Sequence, residues 1–280
     1  MEKAIKRYFP IFVLPTMIAF TLGFIIPFVE GVYLSFCKFT TVNDAKFIGF
    51  ANYAKVFADE TFVHAFWYTA AFTVFSVILI NVLAFAVALL LTKGFKGTNI
   101  FRTVFFMPNL IGGIVLGYIW QLLLNGILMK FSRTLTYSST YGFWGLIILM
   151  CWQQIGYMMI IYIAGIQNIP GELIEAAEID GATKWQILKK VTIPMVMPSI
   201  TVCTFLTLTN SFKLFDQNLA LTNGEPSKMS EMLALNIFYT FYGRTGYEGV
   251  CQAKAVIFFI LVTVIALTQN YLTRRKEVQQ

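Results

Sequence analysis

Ten neutral polar residues stand inside otherwise apolar stretches of this chain: Asn81, Asn109, Gln121, Gln153, Gln154, Tyr157, Thr207, Thr209, Asn210 and Ser211. Amides and hydroxyls donate and accept hydrogen bonds alike, so with aromatic rings nearby they suit a polyhydroxylated neutral ligand. The same groups also serve to hydrogen-bond one helix to another. Asn81 and Gln121 read as structural. A second polar group is of a different kind. Residues 170–183 carry Glu172, Glu175, Glu178 and Asp180 and no base. Helices that lie on lipid are rich in Lys and Arg on their polar face. An acidic face is repelled by anionic lipid and fits a basic groove on another protein.

Other chemistries are missing. The sequence has no Gly-x-x-x-x-Gly-Lys-Ser/Thr loop to cradle phosphates, so ATP hydrolysis is not expected of it. His64 is the single histidine, and no His-Glu-x-x-His, Gly-x-Ser-x-Gly or paired intramembrane carboxylates occur. A hydrolase or a proton relay would have little to work with. The four cysteines lack metal-ligand spacing and read as small buried apolar residues. Neither a catalytic residue nor a metal site is expected.

The elements that must hold these residues are membrane helices. Of 280 residues, 58% are hydrophobic and 12% charged, against roughly 25% charged in a soluble domain. Six windows of at least 19 residues contain no Asp, Glu, Lys or Arg: 8–29, 61–92, 103–129, 134–171, 191–212 and 255–273. About 20 helical residues cross the hydrocarbon core. The windows therefore predict six spans, near 11–36, 66–92, 104–124, 143–166, 195–215 and 253–272, in one membrane domain over 1–280. The first span is expected to remain uncleaved. Lys3, Lys6, Arg7, Lys93, Lys96, Arg102, Lys184, Lys189, Lys190, Arg274, Arg275 and Lys276 fall on one side with six acids; the other side has nine bases and eight acids. That asymmetry predicts cytoplasmic N- and C-termini and a cytoplasmic 170–194 segment. The net charge of +7 follows from this sorting and does not argue for nucleic acid.

The cytoplasmic segment reads as a bent helical pair. Glu172 to Asp180 forms the first helix, with acids near its positive end. Gly181 breaks it, Thr183 caps a second helix, and Pro194 is expected to stop that helix before the membrane.

The spelling Glu175-Ala176-Ala177, three residues, Gly181, nine residues, then Val191-Thr192-Ile193-Pro194 resembles the EAA loop of ABC-importer permeases. Val191 and Ile193 stand where that pattern usually has Ile and Leu. Gly49-x-x-Asn52-Tyr53, Ser211-Phe212-x-x-Phe215-Asp216 and Leu221-Thr222-Asn223-Gly224-Glu225-Pro226 are similar to stretches of the MalF-type, binding-protein-dependent carbohydrate branch. Glu225 replaces a Gly there. The resemblance implies an all-α, type I importer permease fold in the bacterial plasma membrane, in its minimal form without a large outer insertion. It implies coupling to an ATPase through Glu175 and Gly181, with Ala176, Ala177 and Asp180. It implies substrate contacts at Asn109 and Gly113, at Gln153, Gln154 and Tyr157, and at Thr207, Asn210 and Ser211. The implied partners are a second homologous permease, two subunits that bind ATP and Mg, an extracytoplasmic sugar-binding protein and a sugar substrate. A permease for another solute, such as glycerol phosphate or an amino acid, and a membrane scaffold that docks a cytoplasmic partner are the alternatives.

Overall fold

The computed structural model describes residues 2–94 and 96–274, with the side chains of 2–8, 10 and 274 outside the description. The basic groups of Lys3, Lys6, Arg7, Arg274, Arg275 and Lys276 therefore lie outside what is described. Helix α1 (Glu2–Phe20) runs through a π-turn at Thr21–Ile25 into α2 (Ile26–Leu34). Two short antiparallel strands follow, β1 (Cys37–Lys38) and β2 (Lys46–Phe47). Then come α3 (Ala51–Phe57), α4 (Glu60–Leu91), α5 (Thr98–Phe106), α6 (Gly113–Leu128), α7 (Ser139–Gln167) and α8 (Gly171–Ile179). The remainder is α9 (Lys184–Ile187), α10 (Ile193–Met195), α11 (Met197–Phe212), α12 (Asp216–Leu221), α13 (Leu233–Gly243) and α14 (Glu248–Arg274).

Five helical stretches are long and apolar enough to cross a membrane: Ile11–Leu34, Glu60–Leu91, Gly113–Phe131, Ser139–Gln167 and Glu248–Thr273. A sixth crossing is a pair, Lys184–Met195 and Met197–Phe212, bent by 69°. The expected 104–124 span is corrected in register: its spanning helix starts at Gly113. Residues 107–110 form a 3-10 turn containing buried Pro108, and Ile111 and Gly112 are extended. Proline has no N–H to continue a ladder. Such a break is tolerated at membrane depth where protein groups meet the freed backbone. Here Gln153 Nε2 donates to the Ile111 carbonyl at 3.3 Å.

Internal contacts divide the chain into two units, Met1–Glu60 with Ile237–Ile260 and Thr61–Asn236 with Leu261–Gln280. In the first, Phe20, Phe24 and Phe28 stack one turn apart, and Phe28 meets Phe259 with ring centroids 4.8 Å apart. Buried Asn52 donates from Nδ2 to the Ser35 and Cys37 carbonyls at 2.9 and 2.8 Å. Lys254, 1% exposed, sets its Nζ 2.8 Å from Asp59 Oδ2 and 2.9 Å from Thr240 Oγ1.

In the second unit α7 is the hub. Of its apolar window 61% is buried, against 28% for α4 and 11% for α6. Phe72, Ile80 and Ala84 of α4, Leu146, Met150, Met158 and Tyr162 of α7, and Cys203 of α11 form one apolar core. Lipid tails are as apolar as Leu, so close packing and hydrogen bonds must hold such helices together. Gly156 serves the first: a Cβ there would collide with the Phe105 carbonyl, so α5 sits directly on α7. Asn218 serves the second. Its Nδ2 donates to Thr222 Oγ1 and the Ser230 carbonyl, and its Oδ1 accepts from Met232 N, which staples the loop after α12.

Candidate functional site

The acidic segment forms an exposed helical elbow. Pro170 precedes α8, and Glu172 lies in its first turn, where a carboxylate favours the helix dipole. Gly181, at φ +75°, ends it. Its N–H donates to the Glu178 carbonyl, and the Ala182 N–H reaches back to Ala177, both at 3.0 Å. This pair of bonds is a Schellman closure, which needs a left-handed residue at that point. Thr183 then opens α9 with a reciprocal cap: its Oγ1 accepts from Gln186 N at 3.4 Å and its N–H donates to Gln186 Oε1 at 2.7 Å.

Contrary to expectation, Pro194 does not stop the second helix. A π-turn over Leu188–Thr192 leads into α10, which contains Pro194, and the bend falls at Val196, ahead of Pro198. The wider turn lets the helical backbone carry a proline that donates no hydrogen bond.

Glu175, Glu178, Asp180, Ala176 and Gly181 are exposed and Ala177 is half-buried. Beside the acids stand Ile179, 87% exposed, and Trp185, 70% exposed. Behind the elbow is a cavity of about 310 Å³ lined by Ala177, Asp180, Gly181, Gln186, Ile187 and Lys190. An acidic rim with apolar tips is the surface of a peg, suited to a concave basic partner.

The neutral polar residues split into two groups. Gln153 and Gln154 are buried on α7 and Asn210 is half-buried on α11. Gln154 and Asn210 line a cavity of about 280 Å³ with Lys213, Asp216 and Gln217. Gln217 Nε2 donates to Gln153 Oε1 at 2.9 Å, and Gln153 passes the chain on to Ile111. Gly113 completes the join, since a Cβ there would lie 2.7 Å from Asp216 Cβ and 3.0 Å from Gln217 Cδ. Gln154 Oε1, in the cavity wall, and Ser211 Oγ, outside it, are buried and have no hydrogen-bond partner among the described residues. Buried polar atoms are nearly always paired, so an orphan facing a cavity marks a place for a hydroxyl or a water.

Thr207 belongs to the other group. Fully buried, it hydrogen-bonds with Asn81 Nδ2 at 2.9 Å, while Asn81 Oδ1 accepts from Tyr162 Oη at 2.7 Å. That triad ties α4, α7 and α11 together, as the structural reading of Asn81 anticipates. Gln121 is also tied, donating to the Leu221 carbonyl at 3.1 Å. Asn109 lies half-buried on the 3-10 turn, and Tyr157 packs near Phe106 with ring centroids 6.4 Å apart. Neither lines the cavity beside Gln154.

Lys213, Asp216 and Gln217 were missed in the sequence because they follow the uncharged window 191–212, at the end of the expected 195–215 span and in the outer loop after it. The one signal was Ser211-Phe212-x-x-Phe215-Asp216, which pointed at the same stretch for another reason.

The family described as "Binding-protein-dependent transport system inner membrane component" matches residues 80–278. The Probable starch degradation products transport system permease protein AmyD of Thermoanaerobacterium thermosulfurigenes is 42% identical over 278 residues, covering 96% of this chain and 94% of that protein. The multiple sugar-binding transport system permease protein MsmF of Streptococcus mutans is 28% identical over 99% of each. The fold matches a chain of a bacterial ABC transporter involved in the import of alginate, with a TM-score of 0.83 over 98% of both chains at 23% identity. With both the elbow and the amide-lined cavity inside the matched region, the chain belongs to the binding-protein-dependent transport system inner membrane component family, a family of multi-pass membrane transport subunits.

Proposed function

We propose that this chain is the permease subunit of an ATP-driven carbohydrate importer and forms half of its translocation pathway. The observation that carries the substrate class is Gln154: its buried Oε1 lacks a protein partner beside a cavity that also presents Asn210 and Gln217. Amides arranged this way match the hydroxyls of a sugar. The names of the relatives, which concern starch degradation products and multiple sugars, support the same class. Of the residues singled out in the sequence, Gln154 and Asn210 line the cavity, Gly113 and Gln153 touch its wall residue Gln217, and Ser211 follows Asn210 on the same helix. Asn109 and Tyr157 join the pathway as flanking residues, and Thr207 holds the helices that line it.

In this reading the elbow with Glu175, Ala176, Ala177, Asp180 and Gly181 seats in a groove of a cytoplasmic ATPase subunit, which supplies ATP and Mg. A second permease closes the pathway, and an extracytoplasmic binding protein delivers the sugar. ATPase closure moves the elbow, and α11 relays that motion to Asn210. The test is uptake of labelled α-glucan oligosaccharides by the reconstituted transporter carrying Gln154→Leu or Asn210→Leu. One lost hydrogen bond is worth about 1 kcal/mol and a buried orphan more, so uptake falls roughly tenfold while assembly with the partners is kept. Unchanged uptake in both variants would remove the pathway assignment.

A further inference from the structure

At the inner ends of α4 and α7, against α5, two cavities share two lining residues. The first, about 350 Å³, is largely apolar, with Phe106, Ile160, Ile163 and Ala164 in its wall. The second, about 500 Å³, is more polar than the first, with Thr92, Thr98 and Asn99 beside Leu91 and Ile100. Arg102 and Gln167 line both. Arg102 Nε is buried and has no hydrogen-bond partner among the described residues. Arg102 is otherwise partly exposed, and a guanidinium N–H taken out of water without an acceptor is costly, a cost that an anion at this place would remove.

The surroundings specify which anion. Leu91 and Gln167 are the last residues of two spanning helices, which places Arg102 where hydrocarbon gives way to water. The charge distribution makes this the cytoplasmic side. Lys93 and Lys96 are exposed on the turn that follows α4. A soluble anion would be served by the polar cavity alone. An oily slot on one side of an arginine and a polar one on the other fit an amphiphile, with acyl chain along Ile160 and phosphate at the guanidinium. Basic pockets between spanning helices on the cytoplasmic side are known to hold anionic headgroups.

We infer that the Arg102 double cavity binds one anionic phospholipid of the cytoplasmic leaflet. The lipid phosphate accepts from Arg102, and its first acyl carbons fill the space beside Ile160 and Ala164.

Native mass spectrometry of the complete transporter in mild detergent, titrated with phosphatidylglycerol, tests this. Wild type retains one phosphatidylglycerol per copy of this chain, beyond what it retains of phosphatidylcholine. Arg102→Gln weakens that retention about tenfold, the worth of one charge-assisted phosphate contact. Ala164→Trp leaves the guanidinium untouched and fills the mouth of the oily slot; it also reduces retention, and it decides the matter should Arg102→Gln fail to assemble. Equal retention by wild type and Ala164→Trp would overturn the inference. So would Arg102-dependent binding of inorganic phosphate to the delipidated transporter with no effect of Ala164→Trp, since the site would then serve a free anion.

Discussion

Lys254 and Asp59 are unequal partners. The lysine is 1% exposed and the aspartate 17%, so removing either leaves a different remainder. Asp59→Ala leaves a buried ammonium without this carboxylate, and stability falls by about 3–5 kcal/mol. Lys254→Met leaves a carboxylate that water can reach, and the loss is smaller. Thermal unfolding of the purified chain in detergent checks the order; equal losses would show that burial does not set it. This pair was not legible in the sequence because Lys254 marked the edge of an uncharged window, as if it bounded a span. Helix α14 begins at Glu248, so the lysine stands well inside it. Gln154 and Asn210 were legible, since an amide in an apolar run is conspicuous wherever it falls. Thr207 was legible as polar but not as tied to Asn81, because the two are 126 residues apart and only the packing of α4 on α11 joins them.

Among the elements, the elbow between α8 and α9 is the best specified by local sequence. Its stop, its start and its bend rest on Gly181, Thr183 and the pair of prolines, each acting within a few residues. A side chain at Gly181 must enter the left-handed region, which costs roughly 1–2 kcal/mol, while the surrounding space is open. Gly181→Val is therefore expected to fray the end of α8 and lower the transport obtained per ATP, with span content by circular dichroism unchanged. Normal coupling in that variant would show that the φ of this residue is dispensable. The turn at Val42–Asp44 carries a pH dependence. The Thr40 and Thr41 amides donate to Asp44 Oδ1 at 3.0 and 2.9 Å and hold its carboxyl below the usual carboxylate range. A depressed folded value stabilises the turn above the unfolded pKa, near 3.9, and the contribution is lost as pH falls through the folded value. Protection of the Thr40 and Thr41 amides, measured against the intrinsic exchange rate at each pH, should fall only on that acid side; loss of protection toward neutral pH would contradict it. The third span shows where reading by composition fails. Residues 103–129 are uniformly uncharged, so nothing in charge reveals that helix stops at Phe106 and resumes at Gly113. The break is written in Pro108 and Gly112 and made affordable by Gln153 on another helix.

For the whole molecule, the exposed elbow and the internal cavity lie in one unit of the chain, joined through α11. In the proposed reading the driving force arrives at this exposed surface. The acids there point outward, and reversing one disturbs nothing within the fold. Glu175→Lys is expected to abolish substrate-stimulated ATPase activity in the reconstituted transporter and to leave unfolding of this chain within about 0.5 kcal/mol of wild type. Normal stimulation would refute coupling through Glu175, and a large loss of stability would mean that the residue works inside the fold.

The 69° bend at Val196 is a hinge with a long arm. Pro194 and Pro198, one on each side, donate no backbone hydrogen bonds, so the joint is held by the Val196 N–H to the Thr192 carbonyl, the Ile200 N–H to the Val196 carbonyl and the packing of Val196, which is fully buried. Asn210 lies 14 residues further on, about 21 Å along the helix. A swing of about 10° at the hinge would carry Asn210 about 4 Å, more than the length of a hydrogen bond. Enlarging or shrinking Val196 would thus alter leverage instead of affinity, and the place of Asn210 in the cavity wall would be set by rotation at a point that no substrate reaches.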